Sequence, residues 1–273
     1  MHCAADIIPA HEHQQTLLFA NWNTSALWSM HHNWQLGLTV PIMIRELGIR
    51  YVLVDEANDP TGETFIPSYA GLHHRDETLV GFGDAELNIQ HFRVLGKWSV
   101  AASIGSSLPL GKTEEDPYAL AAESQVHQHF QLGTGVFSPM MSVNITRQIG
   151  RSGVLFRGQT RLSVYENSRG FMPGDIHSAT LGAWHRVTQT VTFLAGSTAQ
   201  HDEADRWFGL RAPYSGQQNV GAHLASMWRV IPQMELLLRI DQNLYEQSMT
   251  SDLSNEGDAP PLRSMLTVGV TWL

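Results

Sequence analysis

Among its 273 residues the chain has a single cysteine, Cys3, which excludes an internal disulfide framework and leaves the rest of the sequence cysteine-free. It has no run of 18 or more apolar residues, so no transmembrane helix can be drawn on it. Charge is sparse: 16% of residues are Asp, Glu, Lys or Arg, against roughly 25% in soluble domains. Positive charge is the scarcer sign, with 17 Lys and Arg against 26 Asp and Glu and a net charge of -9. A chain so poor in basic clusters is no partner for nucleic acid. Signatures of covalent chemistry are missing as well: no Gly-x-Ser-x-Gly, no His-Glu-x-x-His and no phosphate-binding loop. His177 and Ser178 are adjacent, but neighbouring strand residues point to opposite faces, so they cannot pair as base and nucleophile. The sequence reads as that of a non-enzyme without a resident cofactor.

What the chain does have is alternation. In Trp34-Gln35-Leu36-Gly37-Leu38-Thr39-Val40-Pro41-Ile42-Met43-Ile44, one parity is Trp, Leu, Leu, Val, Ile, Ile and the other is Gln, Gly, Thr, Pro, Met. Trp98, Val100, Ala102 and Ile104 alternate with small or polar residues in the same way. Leu236, Leu238 and Ile240 stand opposite Glu235, Arg239 and Asp241. Each such segment is a strand with one apolar and one polar face.

Read by this period, strands are predicted at 14–27, 32–45, 48–56, 85–94, 97–110, 135–147, 153–166, 176–187, 190–202, 217–230, 233–247 and 262–273. Tight joins fall at Glu46-Leu47, Leu95-Gly96, 148–152, Thr188-Gln189 and Ile231-Pro232, and long joins lie between them. An even strand count with short turns at one end and long loops at the other is the plan of a bacterial outer-membrane barrel. The expected fold is therefore all-β: a twelve-stranded antiparallel transmembrane barrel over 14–273, preceded by a short periplasmic tail, 1–13. Trp98, Trp184, Trp228 and Trp272 all fall near the short turns, as an interfacial aromatic girdle would. No secretory signal peptide is found at Met1, so a mature or truncated form of an exported protein is expected. The last strand departs in part from that plan: Leu266, Val268, Val270 and Trp272 form its outward parity and Leu273 follows inward, so the terminal aromatic that assembly machinery reads is expected one residue further on or is replaced by Trp272.

Short motifs sit at strand ends: Gly83-Asp84-Ala85-Glu86-Leu87, Leu108-Pro109-Leu110-Gly111-Lys112, Leu132-Gly133-Thr134-Gly135 and Tyr165-Glu166-Asn167. Their order resembles that of the outer-membrane transporters described as meta-pathway phenol-degradation proteins, chiefly over 82–200. The resemblance implies a lipid-embedded barrel for uptake of small, often aromatic or hydrophobic compounds.

Two residue sets are candidates for function. On the polar parities, Arg157, Arg161, Glu235, Arg239 and Asp241 would line a pore and set its selectivity, or else pair and plug it. Among fourteen histidines, His31, His32, His73, His74, His127 and His129 fall in three connections expected to meet at the extracellular rim. Neutral imidazoles there could hold a divalent transition metal such as copper, zinc or nickel, or simply be solvated. The leading expectation is passive passage of small solutes through the outer membrane. A metal-binding outer-membrane protein is the first alternative, and a soluble lipocalin-like ligand-binding barrel the second.

Overall fold

The computed structural model describes residues 9–57, 59–66, 76–127, 130–213, 215–248 and 264–272. They form two compact units. The first draws on Met1–Thr24, Val40–Ala85 and Pro109–Gly135; the second on Ser25–Thr39, Glu86–Leu108 and Val136–Leu273. The strands are β1 (His11–His31), β2 (Trp34–Val54), β3 (Pro60–Thr64), β4 (Glu77–Phe82), β5 (Ala85–Leu95), β6 (Trp98–Leu108), β7 (Pro139–Ile149), β8 (Ser152–Arg161), β9 (Phe171–Met172), β10 (Ile176–Arg186), β11 (Val191–Asp202), β12 (Arg206–Trp207), β13 (Leu210–Arg211), β14 (Gln217–Ile231), β15 (Met234–Ser248) and β16 (Ser264–Trp272). One short helix, α1 (Pro117–Ala122), starts from Asp116, whose carboxylate accepts the N–H groups of Tyr118 and Ala119.

The main sheet runs β1-β2-β5-β6-β7-β8-β10-β11-β14-β15-β16, with β3 and β4 beside β2. It is all-β and its ladders are antiparallel, as the alternation requires. The two segments expected at 32–45 and 48–56 are one strand, β2. Its ladder to β4 passes through Arg45↔Leu79, Glu46↔Thr78 and Leu47↔Glu77 without a break. Glu46-Leu47 has no Gly, Asn or Asp to take the positive φ that a two-residue hairpin turn demands. A strand missed by sequence, β4, occupies part of the long join expected at 57–84. The path thus counts eleven strands, so β1 and β16 run in the same direction, and no ladder joins them among the described residues. Residues 11–13, expected in the tail, already belong to β1.

In the second unit the short turns gather at one end, at His32-Asn33, Gly96-Lys97, Gly150-Arg151, 187–190 and Pro232-Gln233. Gly96 and Gly150 adopt φ of +63° and +62°, which a two-residue turn between strands requires and a side chain opposes. Register carries the apolar parity from strand to strand: Trp98↔Arg147↔Val154↔Ala183↔Ala195↔Leu224↔Ile240↔Leu266. This face is uncovered, with Leu181, Leu224 and Val268 each about two-thirds exposed. Contiguous apolar exposure on that scale marks a surface meant for lipid or a partner rather than for water.

The opposite, polar face is concave in this unit. Glu86 on β5 and Arg161 on β8 meet at 2.5 Å although β6 and β7 lie between them. A flat sheet would keep these strands about 14 Å apart. Trp98, Trp228 and Trp272 lie on the apolar parity near the short turns. Trp184 differs, lying on the polar parity over Gly153, where a Cβ would come within 2.5 Å of its ring. Bulk on one strand fills the space that its register partner leaves empty.

At the other end of the unit, β9, β12 and β13 make a second small sheet from two long connections. Phe171 and Trp207 are buried in it, ring centroids 4.9 Å apart. Asp205 accepts the Gly174 N–H at 2.8 Å, and burial raises its carboxyl above the ordinary range, with Asp202 adding to the rise.

Leu38 and Thr39 test the two faces, since Leu38 shares the apolar row with Leu87 and Thr39 faces the polar side opposite Glu86. Leu38→Arg is expected to cost roughly 2–4 kcal/mol in a bilayer, whereas Thr39→Arg, placed beside a carboxylate, is expected to be close to neutral. Urea unfolding of protein refolded into vesicles measures both, and equal losses would contradict this facing.

Candidate pore lining

All five charged residues singled out by sequence lie on the polar face of the second unit. Arg157 stands in register with Asn144 and Thr180, and Arg161 with Met140 and Ile176. Arg239 stands in register with Ala225 and Asp241 with His223, while Glu235 faces Arg229 near the short turns. Two residues apart on one strand, Arg239 and Asp241 point the same way and form a forked pair, Nε reaching the carboxylate at 2.8 and 3.0 Å. Arg229 and Glu235 pair across the β14–β15 turn, Nη2 to Oε1 at 2.6 Å. Arg161 is held by Glu86.

Arg157 is different. Its guanidinium donates to the neutral Gln159 Oε1 at 2.8 Å and meets no carboxylate among the described residues. Arg161, Arg229 and Arg239 are thus each matched by a carboxylate, and the same polar parity also carries Arg186, Asp202 and Glu246, so the charges of the described lining are close to balanced and Arg157 is a local positive site. Glu86, Arg229 and His223 escaped the sequence reading. Strand parity alone would have placed Glu86 with Arg161's face, but only sheet curvature brings the two together. His223 lies beside Asp241 on the same face, its ring filling the space over Gly196. It is buried, and its Nδ1 has no hydrogen-bond partner among the described residues.

Neutral rungs complete the face. Ser103 and Ser142 hydroxyls lie 2.7 Å apart, Thr180 and Thr198 2.9 Å, and Ser25 and Thr39 2.9 Å. Each links adjacent strands and contributes a few tenths to about 1 kcal/mol.

Of the six histidines expected at the rim, three are described. Trp34 pairs with His91, its ring 4.6 Å from the imidazole, so the hairpin tip carrying His31 and His32 lies at the short-turn end. Fusing two expected strands into β2 reversed that assignment. His127 belongs to the first unit, on the β6–β7 connection that leaves from the opposite strand ends, and its Nδ1 lies 2.9 Å from the Gln125 carbonyl. His73, His74 and His129 lie outside the described residues. Among the described residues, no three His, Cys, Asp or Glu groups are placed to hold a metal ion.

In the first unit the glycine-rich motifs form a clasp. Asp84, between β4 and β5, accepts the N–H of Gly111 at 3.0 Å, the N–H of Thr134 at 2.7 Å and the Thr134 hydroxyl at 2.6 Å. Gly111 and Gly133 pack so closely that a Cβ on either would lie 2.5 Å from the other's Cα. Both ends of the β6–β7 connection are thereby tied to one carboxylate.

No family model matches the chain, and no curated protein matches it. Its fold is similar to that of an outer membrane channel from Pseudomonas putida F1, with a TM-score of 0.62 at 10% identity over 96% of this chain and 86% of that one. OmpT, an outer membrane protein of Vibrio cholerae, aligns over 96% of this chain and 95% of its own at 9% identity, with a TM-score of 0.41. At such identity the likeness to the Pseudomonas channel is one of fold, and it supports the outer-membrane barrel architecture expected from the sequence.

Asp84→Ala removes three charge-assisted hydrogen bonds at once, each worth about 1.5–3 kcal/mol. The β6–β7 connection is expected to be cut by trypsin or chymotrypsin at least tenfold faster, with strand content by circular dichroism unchanged. Equal cleavage rates would show that the clasp does not hold the connection.

Proposed function

We propose that this protein is a passive channel for small solutes in a bacterial outer membrane, without covalent chemistry. The observation that carries the reading is the division of the second unit's sheet: a continuous, uncovered apolar face backed by a concave, polar, hydrogen-bonded one. Lipid suits the first face and water the second. A soluble barrel that binds an apolar ligand inside would turn its apolar face inward, whereas here the concave face is the polar one.

Closure of the sheet into a barrel belongs to this proposal, since an open edge cannot stand in hydrocarbon. Eleven strands leave the edges co-directional, so closure takes either a parallel β1–β16 ladder or one further strand, which would restore a count of twelve. The polar face then becomes a lumen of nearly balanced charge in which Arg157 stands beside three ion pairs. Passing solutes would meet a locally positive stretch of wall at Arg157.

Planar-bilayer recording on the refolded chain tests this. The parent is expected to conduct, and Arg157→Gln to lower its chloride-over-potassium ratio about twofold. Neutralising Arg161 and Arg239 as well should lower it further and leave the channel cation-preferring, because Glu86 and Asp241 are then uncompensated. A parent without conductance, even after deletion of the long connections, would leave a plugged barrel in place of a channel.

A further inference from the structure

Arg45 lies on β2 in the first unit, on the parity of Met43 and opposite the apolar Ile42 and Ile44. Its guanidinium stacks over the Phe19 ring, 5.1 Å from the centroid. Nη1 donates to Asn21 Oδ1 at 2.8 Å and has the carbonyls of Ile44 and Ala20 at 3.0 and 3.3 Å; Nη2 meets Met43 Sδ at 3.3 Å. Every one of these acceptors is neutral. Among the described residues no carboxylate meets Arg45, and its Nε–Nη2 edge keeps two N–H groups without an oxygen acceptor. That edge is the fork which takes a carboxylate by two parallel hydrogen bonds.

The β6–β7 connection supplies the other wall. Phe130 packs edge-on against Phe19, centroids 5.4 Å apart at 76°. Leu132 is buried against Gly81, where a Cβ would meet its δ-methyl at 2.8 Å, and Gly81 is the register partner of Met43. The connection is thus folded onto the face that Arg45 shares, and the Asp84 clasp holds it there. Along β2, Arg45 is eleven residues beyond Trp34, the far end of the 9–11 residues with which a tilted strand crosses a bilayer.

We propose that Arg45, Phe19 and Phe130 form, within the first unit, a binding site for small aromatic monocarboxylates. The guanidinium fork takes the carboxylate, and the two phenyl rings take the apolar body by stacked or edge-on contact. A single unpaired cation favours a single negative charge. The flanking rings favour an aryl acid over acetate, and an uncharged aryl alcohol gains nothing from the fork. This site deepens the channel reading and rests on it.

The test uses the full chain refolded in detergent and moved to planar bilayers, with benzoate, acetate and benzyl alcohol as probes. Benzoate is expected to reduce the chloride current at concentrations at which acetate and benzyl alcohol do not. Arg45→Gln is expected to weaken that block at least tenfold, and Phe19→Leu to bring benzoate close to acetate. Arg45→Lys keeps the charge without the fork and is expected to weaken the block several-fold, which covers a glutamine variant that fails to refold. Equal block of parent and Arg45 variants, or equal action of benzoate and acetate on the parent, would overturn the site. A parent that carries no current sinks the channel reading alone. The site is then judged from benzoate binding to the refolded protein by saturation-transfer NMR, where an unchanged signal in the Arg45 variants overturns it.

Discussion

A sheet that turns one face to hydrocarbon must satisfy its own backbone, because lipid offers neither donor nor acceptor in place of water. On the proposed reading, the ladders of this chain meet that demand. Long strands such as β14 and β15 are paired along most of their length, and the bulges at Val220/Gly221 and Arg229/Ile231 interrupt the ladder only locally. Short turns keep neighbouring strands antiparallel at one end, so irregular backbone is confined to the other. The remaining exposed backbone is at the two edges, β1 and β16, which carry uncovered apolar side chains such as Trp22 and Val270. An edge that is apolar and unpaired is suited to pairing rather than to solvent.

On the proposed reading one face goes to lipid, most charged groups of the strands share the other, and crowding there sets the electrostatics. Charges on neighbouring or facing strands neutralise one another: Arg239 with Asp241, Arg229 with Glu235, Arg161 with Glu86. These pairs stiffen the wall and remove most of its field. What is left is the exception, the cations whose hydrogen bonds go to neutral partners, Arg157 in the second unit and Arg45 in the first. An acidic chain can in this way present a locally positive stretch of wall, because net charge counts the loops and selectivity counts only the lining.

The long connections are built structures. Asp84 ties both ends of one, and the β9-β12-β13 sheet joins two others around Phe171 and Trp207. Glycines at 111 and 133 are required by the close backbone approach beneath the clasp. Three of the four motifs that carried the family resemblance are therefore structural: they anchor the connection that carries Phe130 to the sheet.

Period-two alternation by itself determined the all-β class, most strand positions and the facing of Leu38 against Thr39 or Leu238 against Arg239, because side-chain direction along a strand is local. It likewise placed Arg157, Arg161, Glu235, Arg239 and Asp241 on one face. Alternation did not determine where β2 ends, since a continuing ladder to β4 is a long-range fact and Glu46-Leu47 looks locally like any break in the pattern. That one error moved His31 and His32 to the wrong end. Nor could it show which charges cancel. Glu86 and Arg161 are 75 residues apart, and only the curvature of the sheet, a property of many strands together, brings them into contact and leaves Arg157 without an anionic partner.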